Sequence, residues 1–195
     1  PGGKEYRLMK TIAVLALQGA FIEHERMFEE LGAECFEIRQ KSDLERHFDA
    51  LVLPGGESTV QGKLLKELGI FDDLLEKIKA GLPVFATCAG LILLAQNIEN
   101  DEKRWFGTLP LTVERNAYGR QLGSFIAEED FKGLGTVTQN FIRAPAITSV
   151  GEDVEVLSSF GGKATAVRYG KQFALAFHPE VGKDNRIHKL FLEAI

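Results

Sequence analysis

Leu82-Pro83-Val84-Phe85-Ala86-Thr87-Cys88-Ala89-Gly90-Leu91-Ile92-Leu93-Leu94-Ala95 is the stretch whose reading decides the architecture. Its first part, through Thr87, reads as a short buried strand, apolar without alternation. Its last part, from Leu91, is apolar and reads as a helix. Between them stands a cysteine with a small residue two places to either side, Ala86 and Gly90. Strand, small-x-Cys-x-Gly, helix is the layout of a nucleophile elbow, a strained turn that holds the nucleophile clear of the sheet. The N–H groups and positive end of the following helix favour thiolate over thiol there. A buried cysteine standing alone is more often a small hydrophobe, so Cys88 needs partners to carry chemistry.

Working outward toward the N-terminus, the chain alternates buried strands with amphipathic helices. Thr11 to Leu17 is a continuous apolar run closed by Gln18-Gly19, and residues 20–31 read as a helix with Phe21, Phe28 and Leu31 on one face. Strands are expected at Ala33 to Ile38 and Ala50 to Leu53, and helices after Ser42, after Ser58 and over 71–80. Ser42 with Glu45, and Ser58 with Gln61, match capping boxes. This alternation implies an α/β fold with a doubly wound, mostly parallel sheet of flavodoxin-like kind. Ligands of such sheets bind beyond the carboxyl ends of the strands, where Gln18, Gly55-Gly56 and Cys88 all fall. Residues 105–170 change character, with more Thr and Val and little helical periodicity, and read as a small additional β excursion. The C-terminal segment returns to helical spacing at Ile187, Leu190, Phe191, Ala194 and Ile195.

Near the C-terminus, Phe173-Ala174-Leu175-Ala176 runs into Phe177-His178-Pro179-Glu180. In an extended chain, side chains two apart point the same way, and Pro179 restricts His178 to extended conformations. His178 and Glu180 therefore project together, and Glu180 can orient the imidazole. A cysteine, a base and a carboxylate behind the base are the parts of a cysteine acyl-transfer site. A metal site is the weaker reading: His-x-Glu in zinc deaminases is joined by Pro-Cys-x-x-Cys, which this chain lacks, so no metal is expected. His24, His47 and His188 lie in expected helices or beside charged residues and read as surface groups.

Pro54-Gly55-Gly56-Glu57-Ser58-Thr59 is a tight turn at the end of a strand. Beside an elbow, its glycines can aim the N–H groups of Gly55 and Gly56 at a developing oxyanion, with Ala89 N–H as the second donor. The phosphate-loop pattern G-x-x-x-x-G-K-[ST] is absent. Arg115, Arg120 and Arg143 lie in the β excursion. Phe141-Ile142-Arg143-Ala144-Pro145 sets Arg143 in apolar surroundings, where a guanidinium can grip a carboxylate in two-pronged fashion.

Composition narrows the partners. With 195 residues the chain is expected to form one domain over 9–195, while residues 1–8, opening Pro1-Gly2-Gly3-Lys4, read as an expression remnant or an N-terminal extension. A net charge of −5 without a long basic run argues against nucleic acid. No apolar run approaches the ~18 residues of a membrane span, and the opening lacks the apolar core of a secretory signal. The two cysteines, Cys35 and Cys88, make a poor disulfide pair, which fits a reducing cytoplasmic setting.

Taken together, these motifs resemble the triad (class I) glutamine amidotransferases, and more narrowly the glutaminase subunits of pyridoxal 5′-phosphate synthase. The matching stretches are Leu15-Ala16-Leu17-Gln18-Gly19-Ala20, Leu53 to Thr59, Thr87-Cys88-Ala89-Gly90-Leu91-Ile92, Val113-Glu114-Arg115-Asn116-Ala117-Tyr118-Gly119-Arg120-Gln121, Phe141 to Pro145 and Ala176 to Glu180. Ala86 stands where many relatives have Gly, and is small enough for the elbow. The resemblance implies Cys88 as nucleophile, His178 as general base and acid, and Glu180 as the orienting carboxylate. It also implies glutamine binding by Gly56, Glu57, Ser58, Arg115, Ile142 and Arg143, and a place for Gln18 at a subunit interface. The implied activity is hydrolysis of L-glutamine to L-glutamate and ammonia through a thioester. The ammonia would pass to a separate synthase subunit of a hetero-oligomeric complex, with no cofactor on this chain. Two rivals are the glutaminase subunit of another pathway, such as histidine biosynthesis, and a non-catalytic regulatory module on the same fold.

Overall fold

The computed structural model describes residues 9–118 and 123–195. Residues 1–8 lie outside the described residues, and so do Gly119, Arg120 and Gln121. Along the chain, β1 (Thr11–Leu15), α1 (Ile22–Glu30), β2 (Glu34–Ile38), β3 (Ala50–Leu53), α2 (Ser58–Glu67), α3 (Phe71–Lys79) and β4 (Val84–Thr87) come first, with a 3-10 turn at Lys41–Glu45. Cys88 leads into α4 (Ala89–Leu94), which passes directly into β5 (Ala95–Ile98). Then come β6 (Leu109–Glu114), β7 (Ser124–Phe131), β8 (Gly135–Ile142), β9 (Ala146–Val150), β10 (Glu155–Phe160), β11 (Lys163–Tyr169), β12 (Gln172–Leu175) and α5 (Arg186–Glu193).

Among the described residues, the main sheet has nine strands in the order β2-β1-β3-β4-β12-β11-β10-β7-β8. From β2 to β12 every pairing is parallel; beyond β12 every pairing is antiparallel. The expected β excursion is present and is built largely into the main sheet. Four of its strands extend the main sheet, while β6 and β9 join β5 in a separate three-stranded sheet. Short turns suffice for antiparallel neighbours, so this half needs no crossover helices.

The residues of β3, β4 and β12 are buried throughout, as strands covered on both faces must be. On one side, α1 and α5 pack over β4: the ring of Phe85 lies 5.9 Å from Phe28 and 5.2 Å from Phe191. Phe85 is fully buried, and its truncation to alanine would cost about 3–5 kcal/mol. In register, Leu53 faces Ala86 and Thr87 faces Leu175. The chain consequently leaves β3, β4 and β12 at one edge of the sheet, carrying the glycine loop, Cys88 and His178 there together.

Two caps differ from expectation. Glu57, in extended conformation, precedes α2 and makes no side-chain cap. Gln61 instead donates its amide to the carbonyls of Gln18 (3.0 Å) and Pro54 (3.1 Å), acceptors that the tight loop leaves without strand partners. At the 3-10 turn the capping carboxylate is Asp43, whose Oδ2 accepts from the N–H groups of Arg39 and Gln40. Among the described residues, no helix is long and apolar enough to cross a membrane.

Candidate active site

Cys88 adopts φ 51°, ψ −103°, a conformation outside the ordinary basins for an L-residue. Such strain persists only where surroundings enforce it. Here the Cys88 N–H is held by Leu175 O at 2.8 Å, and the next turn is pressed against β3. A Cβ on Gly90 would fall 2.1 Å from Leu53 O, so even alanine is excluded there. The helix that follows has only six residues, so its contribution to an anion rests on its free N–H groups more than on a summed dipole.

His178 leaves the end of β12 with its N–H bonded to Asn140 O of β8 at 2.8 Å. Its Nδ1 lies 2.5 Å from Glu180 Oε1. Both side chains are buried. Burial alone pulls the imidazole's pKa down, but hydrogen bonding to Cys88 and Glu180, with the Glu180 charge, pushes it up to about 10. Burial likewise pushes Glu180 up, and its bond to His178 and the neighbouring histidines more than reverse that, leaving the carboxyl below its usual range.

The glycine loop lies over this pair. A Cβ on Gly55 would come 2.5 Å from His178 Cε1 and 3.6 Å from Cys88 Cβ. Gly56 has φ 151°, and a Cβ there would meet Gln18 Oε1 at 2.3 Å. Gln18 Oε1 accepts from Glu57 N–H at 2.7 Å, and Gly55 O accepts from Ala20 N–H at 3.1 Å. The first loop of the chain thus grips the glycine loop directly. The N–H groups of Gly55, Gly56 and Ala89 have no acceptor among the described residues.

The remaining expected residues lie at the start of α2, just after β6 and at the end of β8. Ser58 is buried at the start of α2, and Glu57 is exposed. Arg115 reaches Thr59 Oγ1 at 3.3 Å and Asp101 Oδ2 at 3.6 Å. Ile142 and Arg143 follow Asn140 on the chain that holds His178. Arg143 has φ 46° and is exposed rather than set in an apolar pocket, because its neighbours Phe141 and Ala144 take the inward positions. It forms no ion pair among the described residues.

Two side chains read as surface groups are buried. His24 on α1 and His188 on α5 are fully buried, whereas His47 is exposed. Helical spacing carried the signal: His24 lies on the stripe of Met27 and Phe28, and His188 three residues before Phe191.

The chain is similar to known proteins over nearly its whole length. The model of the SNO glutamine amidotransferase family matches residues 14–195. A pyridoxal 5′-phosphate synthase subunit PdxT of Desulfitobacterium hafniense is 59% identical over 184 residues, 94% of this chain and 92% of that protein. Its namesake from Haemophilus influenzae is 48% identical over 185 residues, 93% of this chain and 96% of that one. A crystal structure of a glutamine amidotransferase superposes with a TM-score of 0.89 at 46% identity, covering 94% of this chain and 97% of that chain. An elbow cysteine beneath a glycine loop, a family match over nearly the whole chain and relatives of this identity together lead to one conclusion: the chain belongs to the SNO glutamine amidotransferase family.

Proposed function

We propose that this chain, as one domain over residues 9–195, hydrolyses L-glutamine to L-glutamate and ammonia. We further propose that it delivers the ammonia to a pyridoxal 5′-phosphate synthase subunit for vitamin B6 biosynthesis. The observation that carries the reading is His178 bonded to Glu180 beside the strained Cys88, under a glycine loop with free N–H groups. The names of the relatives supply the pathway.

In this reading the Cys88 thiolate attacks the carboxamide carbon, and the carbonyl electrons move to oxygen. The Gly55-Gly56 loop and Ala89 N–H groups meet that oxyanion; one such donor is worth roughly 100- to 1000-fold in rate. His178, held protonated by Glu180, gives its proton to the departing nitrogen, and ammonia leaves a γ-glutamyl thioester. The now neutral imidazole takes a proton from water, whose hydroxide attacks the thioester carbon. Collapse expels the Cys88 thiolate and glutamate. Gly56, Glu57, Ser58, Arg115, Ile142 and Arg143 hold the amino acid, with Arg143 free of a competing carboxylate. Complex formation with the synthase and a cytoplasmic location belong to the same proposal.

The test is ammonia release from glutamine, with and without the synthase subunit. Hydrolysis that depends on Cys88 and rises on adding the synthase is expected. No hydrolysis in the complex would overturn the reading.

A further inference from the structure

On the inner side of Glu180 lies His24, itself in contact with Thr87 and His188. Glu180 Oε1 is bonded to His178, but Glu180 Oε2 is fully buried and has no hydrogen-bond partner among the described residues. A buried carboxylate oxygen left so is costly. His24 Nε2 faces it at 3.7 Å, and the same nitrogen lies 3.3 Å from Thr87 Oγ1, the residue before Cys88. On its other side, His24 Nδ1 lies 2.9 Å from His188 Nε2.

The tautomers follow by elimination. A lone pair on His24 Nε2 would face a carboxylate oxygen that can only accept; the Thr87 hydroxyl, able to donate or accept, suits either tautomer, so the carboxylate places the proton on Nε2. Its Nδ1 is then an acceptor, and His188 Nε2 must be the donor to it. His188 Nδ1 is left as a bare acceptor, buried without a partner. The reverse arrangement buries an unpaired N–H at that position and turns two lone pairs on one another, which costs more.

Resting on the glutaminase reading above, we propose that His24 is a positioning residue: its Nε2–H, backed by His188, turns the positive end of its dipole to Oε2 of Glu180 across 3.7 Å and so keeps Oε1 turned toward His178. The donor acts because it is neutral. Burial, opposed by the Glu180 charge and reinforced by His188 and His178, lowers His24 to about 3. Burial lowers His188 to about 3 as well, against the pull of Asp184. A lysine or arginine in this place would form an ion pair with Glu180 and draw its charge away from the imidazolium. A neutral N–H fixes the carboxylate and leaves its charge for His178. Thr87 ties the arrangement to the strand that carries the nucleophile.

The experiment is nitrogen-15 histidine NMR on the intact chain, combined with two variants assayed with the synthase. Wild type should show His24 neutral and protonated on Nε2 from about pH 8 to about pH 5, as its burial requires. A proton on Nδ1 instead, or a cationic His24 at neutral pH, would overturn the proposal. His24→Asn places a polar atom near Nδ1 only; His24→Gln reaches the position of Nε2 with an N–H. Asn should lower kcat about 10- to 100-fold with KM for glutamine nearly unchanged, the scale of a slightly misplaced reacting group. It should also lower the pKa read from the His178 ring signals, and Gln should restore most of both. Equal losses in two folded variants, or an unshifted His178 titration in the Asn variant, would overturn it. If wild type and synthase release no ammonia, the glutaminase reading falls, while the His178 titration still decides what His24 does.

Discussion

Gln18 Oε1 accepts the N–H of Glu57 at 2.7 Å, which joins the end of the first strand's loop to the residue that follows the paired glycines. Gln18 also accepts Gln61 through its carbonyl, so a push on this residue reaches both flanks of the glycine loop. A partner docking on Gln18 can therefore set the angle at which Gly55 and Gly56 present their N–H groups. Gln18→Ala should leave the fold intact and blunt activation by the synthase. The loss should fall on kcat, by up to the roughly 100- to 1000-fold value of one oxyanion donor. Steady-state kinetics with and without synthase check this; activation equal to wild type would remove Gln18 from the coupling.

Cys88→Ala should abolish glutamine hydrolysis. The other cysteine, Cys35, lies on β2 away from the elbow, with burial pushing its thiol up to about 12. Pyridoxal phosphate formation from added ammonium salt, with the synthase present, should continue at the wild-type rate. Residual glutamine hydrolysis by the variant would refute the nucleophile assignment.

Glu180→Gln should be milder than His178→Asn. His178 moves protons, a role worth roughly 100- to 10,000-fold, whereas Glu180 orients the ring and supports its charge. Comparison of kcat for the two folded variants decides the matter, and a larger loss at Glu180 would reverse the roles.

Stability should fall as acid is added well before the carboxylates titrate. His24 and His188 are held neutral in the fold, at about 3, but take up protons near pH 6.5 when unfolded. Below pH 6.5 the unfolded chain therefore binds protons that the folded chain refuses, and each such histidine removes about 1.4 kcal/mol per pH unit. His178 has the opposite sense: raised to about 10, its contribution is complete below pH 6.5 and is lost as pH rises toward 10. Glu25, pushed up to about 7 by burial and by Glu37, partly offsets the histidines as pH falls. The lowered carboxyls of Asp49, Asp184 and Glu180 act only below their ordinary range. His188→Gln should flatten the urea-derived stability slope between pH 6.5 and 4.5 by about 1.4 kcal/mol per pH unit. An unchanged slope would show that His188 is not buried neutral.

The elbow, the glycine loop and the His-x-Glu pair were legible because each is a local arrangement: small residues around Cys88, a Pro-Gly-Gly turn, two side chains spaced by one proline. The buried histidines were less so. Helical spacing put His24 with Met27 and Phe28, but whether a polar ring on that stripe is covered depends on α5, far along the chain. Gln61 matched a capping pattern, yet two loop carbonyls brought close by β1 and β3 claimed its amide. The antiparallel half is legible as an additional β excursion on the same domain but not as a continuation of the main sheet, because strand periodicity says that a segment is extended and not which strand it will join. For Arg143, apolar neighbours in sequence turned inward and left the guanidinium in solvent.

The position of β12 has a consequence for how the molecule is made. Among the described strands of the main sheet it comes latest in the chain, yet it lies in the middle of that sheet, between β4 and β11. Until residues 172–175 emerge, the parallel and antiparallel halves each present an unpaired inner edge, the kind of edge that recruits other chains. Joining them requires pairing across the long sequence interval from Val84 to Gln172, which makes the closing step slow. The same step delivers His178 and Glu180 to Cys88. A nascent or truncated chain therefore holds its cysteine without a base, and the site is assembled by the event that completes the sheet.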